Sequence, residues 1–135
     1  MAWADVLFGD VNPSGRLPVT FPKSEDDVPA PCPGLECDYT EGLAVGYRGL
    51  AGKPVAFPFG HGLSYTSFTY DLVKTAAVAC GAAAAQCVAV SIRNTGTVPG
   101  AEVPQLYLTF PPAAEQPAPV LKGFNRTAVI PPGGQ

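Results

Sequence analysis

The side chains of this sequence that could carry chemistry are eleven carboxylates, four cysteines and one histidine. Two carboxyl groups that face one substrate can act as acid and base, but no carboxylate here belongs to a recognisable catalytic motif. Glu25, Asp26 and Asp27 form a cluster typical of a solvated loop, and Asp38 and Glu41 lie at the start of a predicted strand with no pocket nearby. The sequence therefore predicts no catalytic residue; the other carboxylates are Asp5, Asp10, Glu36, Asp71, Glu102 and Glu115.

The remaining polar candidates favour structural roles. His61 lies between Gly60 and Gly62 in a tight loop, which is more typical of a structural histidine than of a proton carrier. Ser64 has no neighbouring base and no G-x-S-x-G motif around it. Arg16 is expected to tie its turn to a carboxylate or to backbone carbonyls, and the alternative is a contact near a substrate cleft.

The four cysteines form two close pairs, Cys32 with Cys37 and Cys80 with Cys87. The spacings C-x4-C and C-x6-C are wrong for a zinc ribbon, and a single histidine cannot complete a metal site. Two local disulfides are predicted, each worth about 2–3 kcal/mol in the chain-entropy model. The alternative is four unlinked small residues.

Asn125-Arg126-Thr127 is an N-glycosylation sequon, so Asn125 is the candidate glycosylation site. Disulfides and a sequon together indicate a secreted or extracellular setting. The N-terminus has no basic segment ahead of an apolar core, so no signal peptide is predicted in this chain.

The composition is that of a globular protein, with 47% hydrophobic and 14% charged residues among 135. The net charge is −3 and there is no basic stripe, which argues against nucleic acid or an anionic membrane as partner. No apolar run approaches the ~20 residues of a membrane span. No cofactor or metal is expected.

The order of elements predicts a mainly β chain. "AWADVLF" is typical of the last turns of a helix that ends at Gly9, and Leu17 to Phe21 is predicted to be a strand closed by Pro22. A weakly alternating segment follows at Tyr39 to Arg48. "FTYDLV", "CVAVSIRN" and "EVPQLYLTF" are predicted strands, with Pro104 inside the third at an edge or bulge, and "VLKGFNRTAVI" is a strand pair or a bent strand.

Strands and turns at this spacing are typical of a β-sandwich. A helix of seven or eight residues is marginal without a surface to pack on, and a sandwich needs its last strands to cover its edge. Both ends of the chain are therefore expected to have been cut from a longer protein.

Several motifs, in the same order, resemble the C-terminal part of glycoside hydrolase family 3. "ADVLFGDVNPSGRLPVTFP" is similar to the end of that family's α/β sandwich domain, and "YTEGLAVGYRG" with "FPFGHGLSYTSF" is similar to its linker. "VSIRNTGTVPGAEVPQLYL" and "LKGFNRTAVIPPGGQ" resemble the first strands of its fibronectin-III-like domain. The "EGLAVGYRG" and "FPFGHGLSYT" segments are similar to those of the β-glucosidase branch.

The resemblance implies a partial fibronectin-III-like (immunoglobulin-like) sandwich after the tail of an α/β sandwich domain and a long linker. The implied boundaries are 1–22 for the tail, 23–66 for the linker and 67–135 for the truncated sandwich. It also implies a retaining mechanism with two carboxyl groups about 5 Å apart. In the family both groups lie upstream of the "NPSGRLP" segment, so none is carried over to a residue of this chain. Tyr47 and Arg48 could reach a sugar site in a full-length enzyme but are not assigned to one.

The resulting prediction is the C-terminal portion of a secreted β-glucosidase-like hydrolase that acts on terminal β-linked glucose. Its expected partners are the parent's upstream catalytic domains and, through them, a β-glucoside or β-glucan, and the chain alone is expected to be inactive. The alternative is a non-catalytic carbohydrate-binding, adhesion or stabilising module, since fibronectin-III-like sandwiches serve many functions.

Overall fold

The computed structural model describes residues 2–73 and 88–135. Its contacts divide the chain into two compact units. The first unit comprises Met1–Ser14, Leu63–Val103 and Arg126–Gln135, and the second comprises Gly15–Gly62 and Pro104–Asn125. Within the described residues, and apart from short 3₁₀ helices, the helix is α1 (Ala2–Leu7) and the strands are β1 (Phe21–Pro22), β2 (Val55–Phe57), β3 (Phe68–Val73), β4 (Ala89–Asn94), β5 (Gln105–Leu108) and β6 (Val120–Phe124).

The first unit begins with the predicted helix, which is confirmed as α1 and ends two residues before Gly9. Gly9 has φ +86°, a left-handed conformation that glycine adopts at helix ends without steric cost. The Phe8 and Gly9 amides donate to the carbonyls of Ala4 and Val6 at 2.9 and 3.2 Å. These bonds satisfy two carbonyls that the helix end would otherwise leave unpaired.

The sheet of the first unit is the antiparallel pair β3–β4, in register from Phe68 opposite Asn94 to Val73 opposite Ala89. Both strands were predicted, the second of them from alternating apolar residues, and Ile92 of β4 is buried. Beyond the sheet, Gly100 and Ile130 form an antiparallel bridge through backbone hydrogen bonds of 3.1 and 2.8 Å. Ala101 and Ile130 complete the small buried apolar core of the described residues.

The second unit contains two short antiparallel pairs. β1 pairs with β2, with Phe21 opposite Phe57. β5 pairs with β6, and the register shifts between Leu106 and Tyr107, which is a bulge-like irregularity.

Three predicted elements were wrong in detail. Leu17 to Phe21 is not a continuous strand, because Pro18 lacks an amide donor; the segment instead makes two backbone hydrogen bonds, from the Leu17 amide to His61 and from the Gly60 amide to Leu17, both 2.8 Å. Tyr39 to Arg48 is not a strand, because Gly42 and Gly46 have φ +54° and +55°, and it ends in a short 3₁₀ helix, Gly46–Arg48. β5 begins after Pro104, which therefore lies outside it.

Candidate functional site

Asn12, in the "NPSG" turn, joins three segments of the first unit. Its Oδ1 accepts hydrogen bonds from the Ser64 hydroxyl at 3.1 Å and from the Tyr65 amide at 2.9 Å. Its Nδ2 donates to the Pro99 carbonyl at 3.3 Å. Ser64 Oγ also accepts from the Thr66 amide at 3.2 Å. Ser64 is thus occupied in holding this turn, and none of its partners is a base that could activate it.

Asn94, at the end of β4, is the most buried polar residue among the described residues of the first unit, with 0% of its surface exposed. Its Nδ2 donates to the carbonyls of Val98 and Ile130 at 2.8 and 2.9 Å. Its Oδ1 accepts from the Thr66 hydroxyl at 2.6 Å and from the Gly96 amide at 3.0 Å. All four hydrogen-bonding positions of the amide are therefore filled, which a buried amide requires.

Sequence reasoning missed Asn94, Asn12 and Thr66. The available signal was that Asn94 follows an apolar strand and begins the turn "NTGTVPG". Asparagine in such a position can fix a turn through its side chain. The partners of Asn94 lie up to 36 residues away, and no local pattern in the sequence points to them.

Glu102 is the buried carboxylate of the described residues, with 4% of its surface exposed. Its Oε1 accepts from the Val103 amide at 2.7 Å. Its own amide donates to Thr127 Oγ1, and its carbonyl accepts from the Thr127 amide, both at 2.9 Å. These are contacts that hold two chain segments together.

The second unit contains an aromatic cluster built around Tyr47. The Tyr47 ring lies 4.7 Å from that of Phe59 and 6.1 Å from that of Tyr107, the latter edge to face. Its hydroxyl accepts from the Leu121 amide at 3.0 Å. Burial, and secondarily the nearby Tyr47, raises the pKa of Tyr107, whose hydroxyl donates to Gln105 Oε1 at 2.6 Å. The ring of Tyr47 thus packs on aromatic side chains, and its hydroxyl is hydrogen-bonded to the backbone of the same unit.

Arg16 and His61 lie on adjoining parts of the second unit. A Cβ on Gly62 would come within 2.5 Å of Arg16 Nη1, so the arginine lies directly against this glycine. The His61 ring lies 5.3 Å from the Phe57 ring. Phe57 in turn meets Phe21 edge to face at 6.2 Å. Arg48 closes the short 3₁₀ helix that carries Tyr47.

An open cavity of about 460 Å³ lies in the second unit. Its charged lining is Asp26, Asp27, Glu41 and Lys53. Asp26 and Asp27 of the predicted loop cluster thus line the same cavity as Glu41, which the sequence did not indicate. Among residues 2–73 and 88–135, no group of three or more His, Cys, Asp or Glu side chains is arranged to hold a metal ion.

Cys32 and Cys37 form a disulfide, with their Cα atoms 5.9 Å apart. The second predicted pair, Cys80 with Cys87, lies outside the described residues. Asn125 is exposed, as a glycosylation site must be. No helix in the described part of the chain is long and apolar enough to cross a membrane.

The geometry is that of a mainly β segment with dense structural hydrogen bonding and no assembled catalytic pair among its described residues. Residues 1–65 match the model of the glycosyl hydrolase family 3 C-terminal domain. This match, together with the relatives described next, confirms the predicted resemblance to the C-terminal part of glycoside hydrolase family 3, and the predicted fold class is confirmed.

Similar proteins support this assignment along nearly the whole chain. Probable beta-glucosidase D of Aspergillus niger is 42% identical over 144 residues, which cover 93% of this chain and 19% of that protein. Probable beta-glucosidase K of Emericella nidulans is 43% identical over 139 residues, which cover 95% of this chain and 15% of that protein. The chain thus spans about a fifth or less of these two relatives.

Solved structures agree with the sequence relatives. A beta-glucosidase from Paenibacillus barengoltzii superposes with a TM-score of 0.84 at 38% identity, covering 98% of this chain and 15% of that one. Beta-glucosidase 3B from Thermotoga neapolitana, in complex with glucose, superposes with a TM-score of 0.81 at 40% identity. The match covers 97% of this chain and 19% of that one.

Proposed function

We propose that this chain is the C-terminal portion of a retaining β-glucosidase-like hydrolase that acts on terminal β-linked glucose. The observation that carries the proposal is 42% identity to probable beta-glucosidase D along 93% of the chain. The nucleophile and the acid/base belong to upstream domains of the parent protein, and this portion is inactive alone. Retaining hydrolysis needs two carboxyl groups about 5 Å apart around a sugar, whereas Glu102, the buried carboxylate, bonds a neighbouring backbone amide.

The upstream domains are the proposed partners of this portion. Helix α1 has six residues, too few to be stable in isolation. Trp3, Leu7 and Phe8, on and just after it, have 82%, 72% and 86% of their surfaces exposed. Exposed apolar side chains in one short segment support packing on another part of the parent protein. The division into residues 1–22, 23–66 and 67–135 also remains part of this proposal.

The parent is proposed to be secreted. The Cys32–Cys37 disulfide supports this, because disulfides persist in oxidising compartments. The exposed sequon asparagine, Asn125, supports it independently.

The proposal is tested by assaying the purified chain on an aryl β-glucoside, with beta-glucosidase 3B from Thermotoga neapolitana as the positive control. We expect no turnover above the blank. Turnover that co-purifies with the chain and falls in Asp27→Asn or Glu41→Gln would contradict inactivity, because it would place chemistry in the cavity of the second unit. Turnover that is unchanged in both variants and is lost on further purification would come from a contaminating enzyme.

The alternative, a carbohydrate-binding module, has one observation in its favour. Phe21 and Phe57 are about half exposed and adjacent, with ring centroids 6.2 Å apart, and exposed aromatic rings are suited to stack on sugar faces. Dose-dependent retention on cellulose or a β-glucan that is lost in Phe57→Ala would favour this function. Elution of the wild-type chain and of Phe57→Ala together in the void volume would count against a carbohydrate-binding function.

A further inference from the structure

We propose that the sequon Asn125-Arg126-Thr127 accepts an N-glycan only before the chain folds, because the folded chain uses the hydroxyl of Thr127 in its own structure. The proposal does not depend on glycosidase activity in the parent protein. It concerns a modification site with two recognition elements. In the folded chain the asparagine is exposed, whereas the hydroxyl of the threonine is hydrogen-bonded within the chain.

Thr127 is held by three hydrogen bonds. Its Oγ1 accepts from the Glu102 amide at 2.9 Å and donates to the Ala128 carbonyl at 2.7 Å. Its amide donates to the Glu102 carbonyl at 2.9 Å. The hydroxyl therefore has both a donor and an acceptor partner and has no unused proton for an external group.

The surroundings make this hydroxyl costly to release. Glu102 and the preceding Ala101 have only 4% and 3% of their surfaces exposed. Withdrawing Thr127 Oγ1 would leave the amide of the buried residue Glu102 without its acceptor. Arg126 adds a further restraint, since its Nε donates to Ser14 Oγ at 3.1 Å.

Asn125 is exposed, so a glycan on it is compatible with the folded chain. In the transfer reaction the Asn125 amide nitrogen attacks the anomeric carbon of an oligosaccharide carried on a lipid pyrophosphate. A carbon–nitrogen bond forms, the bond from that carbon to the pyrophosphate oxygen breaks, the lipid pyrophosphate leaves and one amide proton is lost. The transferase also recognises the hydroxyl at the third position of the sequon. An accessible asparagine is thus not enough while Thr127 is held.

The proposal is tested with three acceptor substrates. Each is incubated with a purified oligosaccharyltransferase and its lipid-linked oligosaccharide donor. They are the folded, unglycosylated chain, the same chain with Asn94→Ala to destabilise the first unit, and a peptide of residues 120–131 that has no fold. Transfer is measured as a mass increase that an endoglycosidase removes. Circular dichroism and protease resistance report which acceptors are folded, and Asn125→Gln in the full chain controls for transfer elsewhere.

We expect the folded chain to be modified about tenfold or more slowly than the peptide, because its hydroxyl must first be released. The rate at which the Asn94→Ala chain is modified should approach that of the peptide to the extent that the variant is unfolded. The Asn125→Gln chain should not be modified. Equal rates for the folded chain and the peptide would overturn the proposal. A peptide that is not modified would overturn it too, because the sequon would then be inactive in any state.

Discussion

Asn94 Nδ2 lies 2.9 Å from the carbonyl oxygen of Ile130, 36 residues further along the chain. This bond lies beside the bridge between Gly100 and Ile130. The Asn94 backbone extends the contact, because its amide donates to Gly134 at 3.0 Å and its carbonyl accepts from Gly133 at 2.9 Å. One residue thus fixes the end of β4, the following turn and the C-terminal segment.

Replacing Asn94 by alanine should strongly destabilise the first unit. The change removes four side-chain hydrogen bonds, so the part-buried Val98 carbonyl and Gly96 amide lose this partner and the buried Ile130 carbonyl keeps only its bond from the Gly100 amide. We expect the free energy of unfolding to fall by about 3 kcal/mol, near the upper end for point substitutions. Urea unfolding followed by circular dichroism measures the change.

Thr97→Ala is the matched control for Asn94→Ala, since Thr97 lies in the same turn and is exposed. Its effect should stay within about 0.5 kcal/mol. If the two variants unfold at the same urea concentration, the Asn94 network does not stabilise this unit.

Gly62→Ala should destabilise the second unit through a steric clash. A Cβ at this position would meet the Gly15 carbonyl oxygen and would lie 2.5 Å from Arg16 Nη1. Relieving that overlap would displace the segment whose Leu17 amide bonds His61. We expect a loss of about 1–3 kcal/mol, as for overpacking of a close contact.

The control for Gly62→Ala is Gly34→Ala, because a Cβ on Gly34 would meet no atom within 4 Å. Thermal melts of the two variants give the comparison. Wild-type stability is expected for Gly34→Ala, and a Gly62→Ala melt equal to wild type would show that the segment moves aside without cost.

The sequence predicted best where one local pattern decides the structure. The alternation of Val88, Val90 and Ile92 indicated a half-buried strand, and the strand β4 is there at Ala89–Asn94, although of these three residues Ile92 is buried and Val88 and Val90 are each 37% exposed. The positions of Gly9 and of the apolar residues before it indicated the end of α1 for an equally local reason. These features depend on backbone conformation and the periodicity of neighbouring residues, both of which the sequence shows directly.

Prediction failed where distant residues decide the structure. A strand from Leu17 to Phe21 looked plausible, but Pro18 interrupts the ladder and the partners are backbone groups of Gly60 and His61. The meeting of Glu41 with Asp26 and Asp27 at one cavity also depends on tertiary contacts. The family resemblance indicated the order of the segments, but it could not indicate which side chains of this chain contact one another.

Removing the Cys32–Cys37 disulfide should cost little more than the entropy of a short loop. The bridge closes a separation of five residues in a segment whose residues 29–40 are all exposed. The chain-entropy model gives about 2 kcal/mol for such a loop. We expect Cys32→Ser/Cys37→Ser to lose at most about that amount in urea unfolding. A larger loss would mean that the loop supports the second unit through contacts as well as through entropy.

The same cysteines allow a chemical test of the predicted pairing. Peptide mapping without reduction should yield one linked species that contains Cys32 and Cys37. The prediction for Cys80 and Cys87 is a second, separate linked species. A linkage between the two pairs would contradict the prediction of two local bridges.

Tyr107 should make the stability of the second unit fall at alkaline pH. Burial, followed by the nearby Tyr47, raises the pKa of Tyr107 above its ordinary value of 10.0. The unfolded chain therefore loses this proton at a lower pH than the folded chain, so the stabilisation is complete below pH 10 and declines as pH rises beyond it. Urea unfolding between about pH 8 and 11 should show a smaller alkaline loss for Tyr107→Phe than for wild type. The control is Tyr39→Phe, at an exposed position, which should lose as much stability at alkaline pH as the wild type. If Tyr107→Phe also loses as much as the wild type, other groups cause the effect.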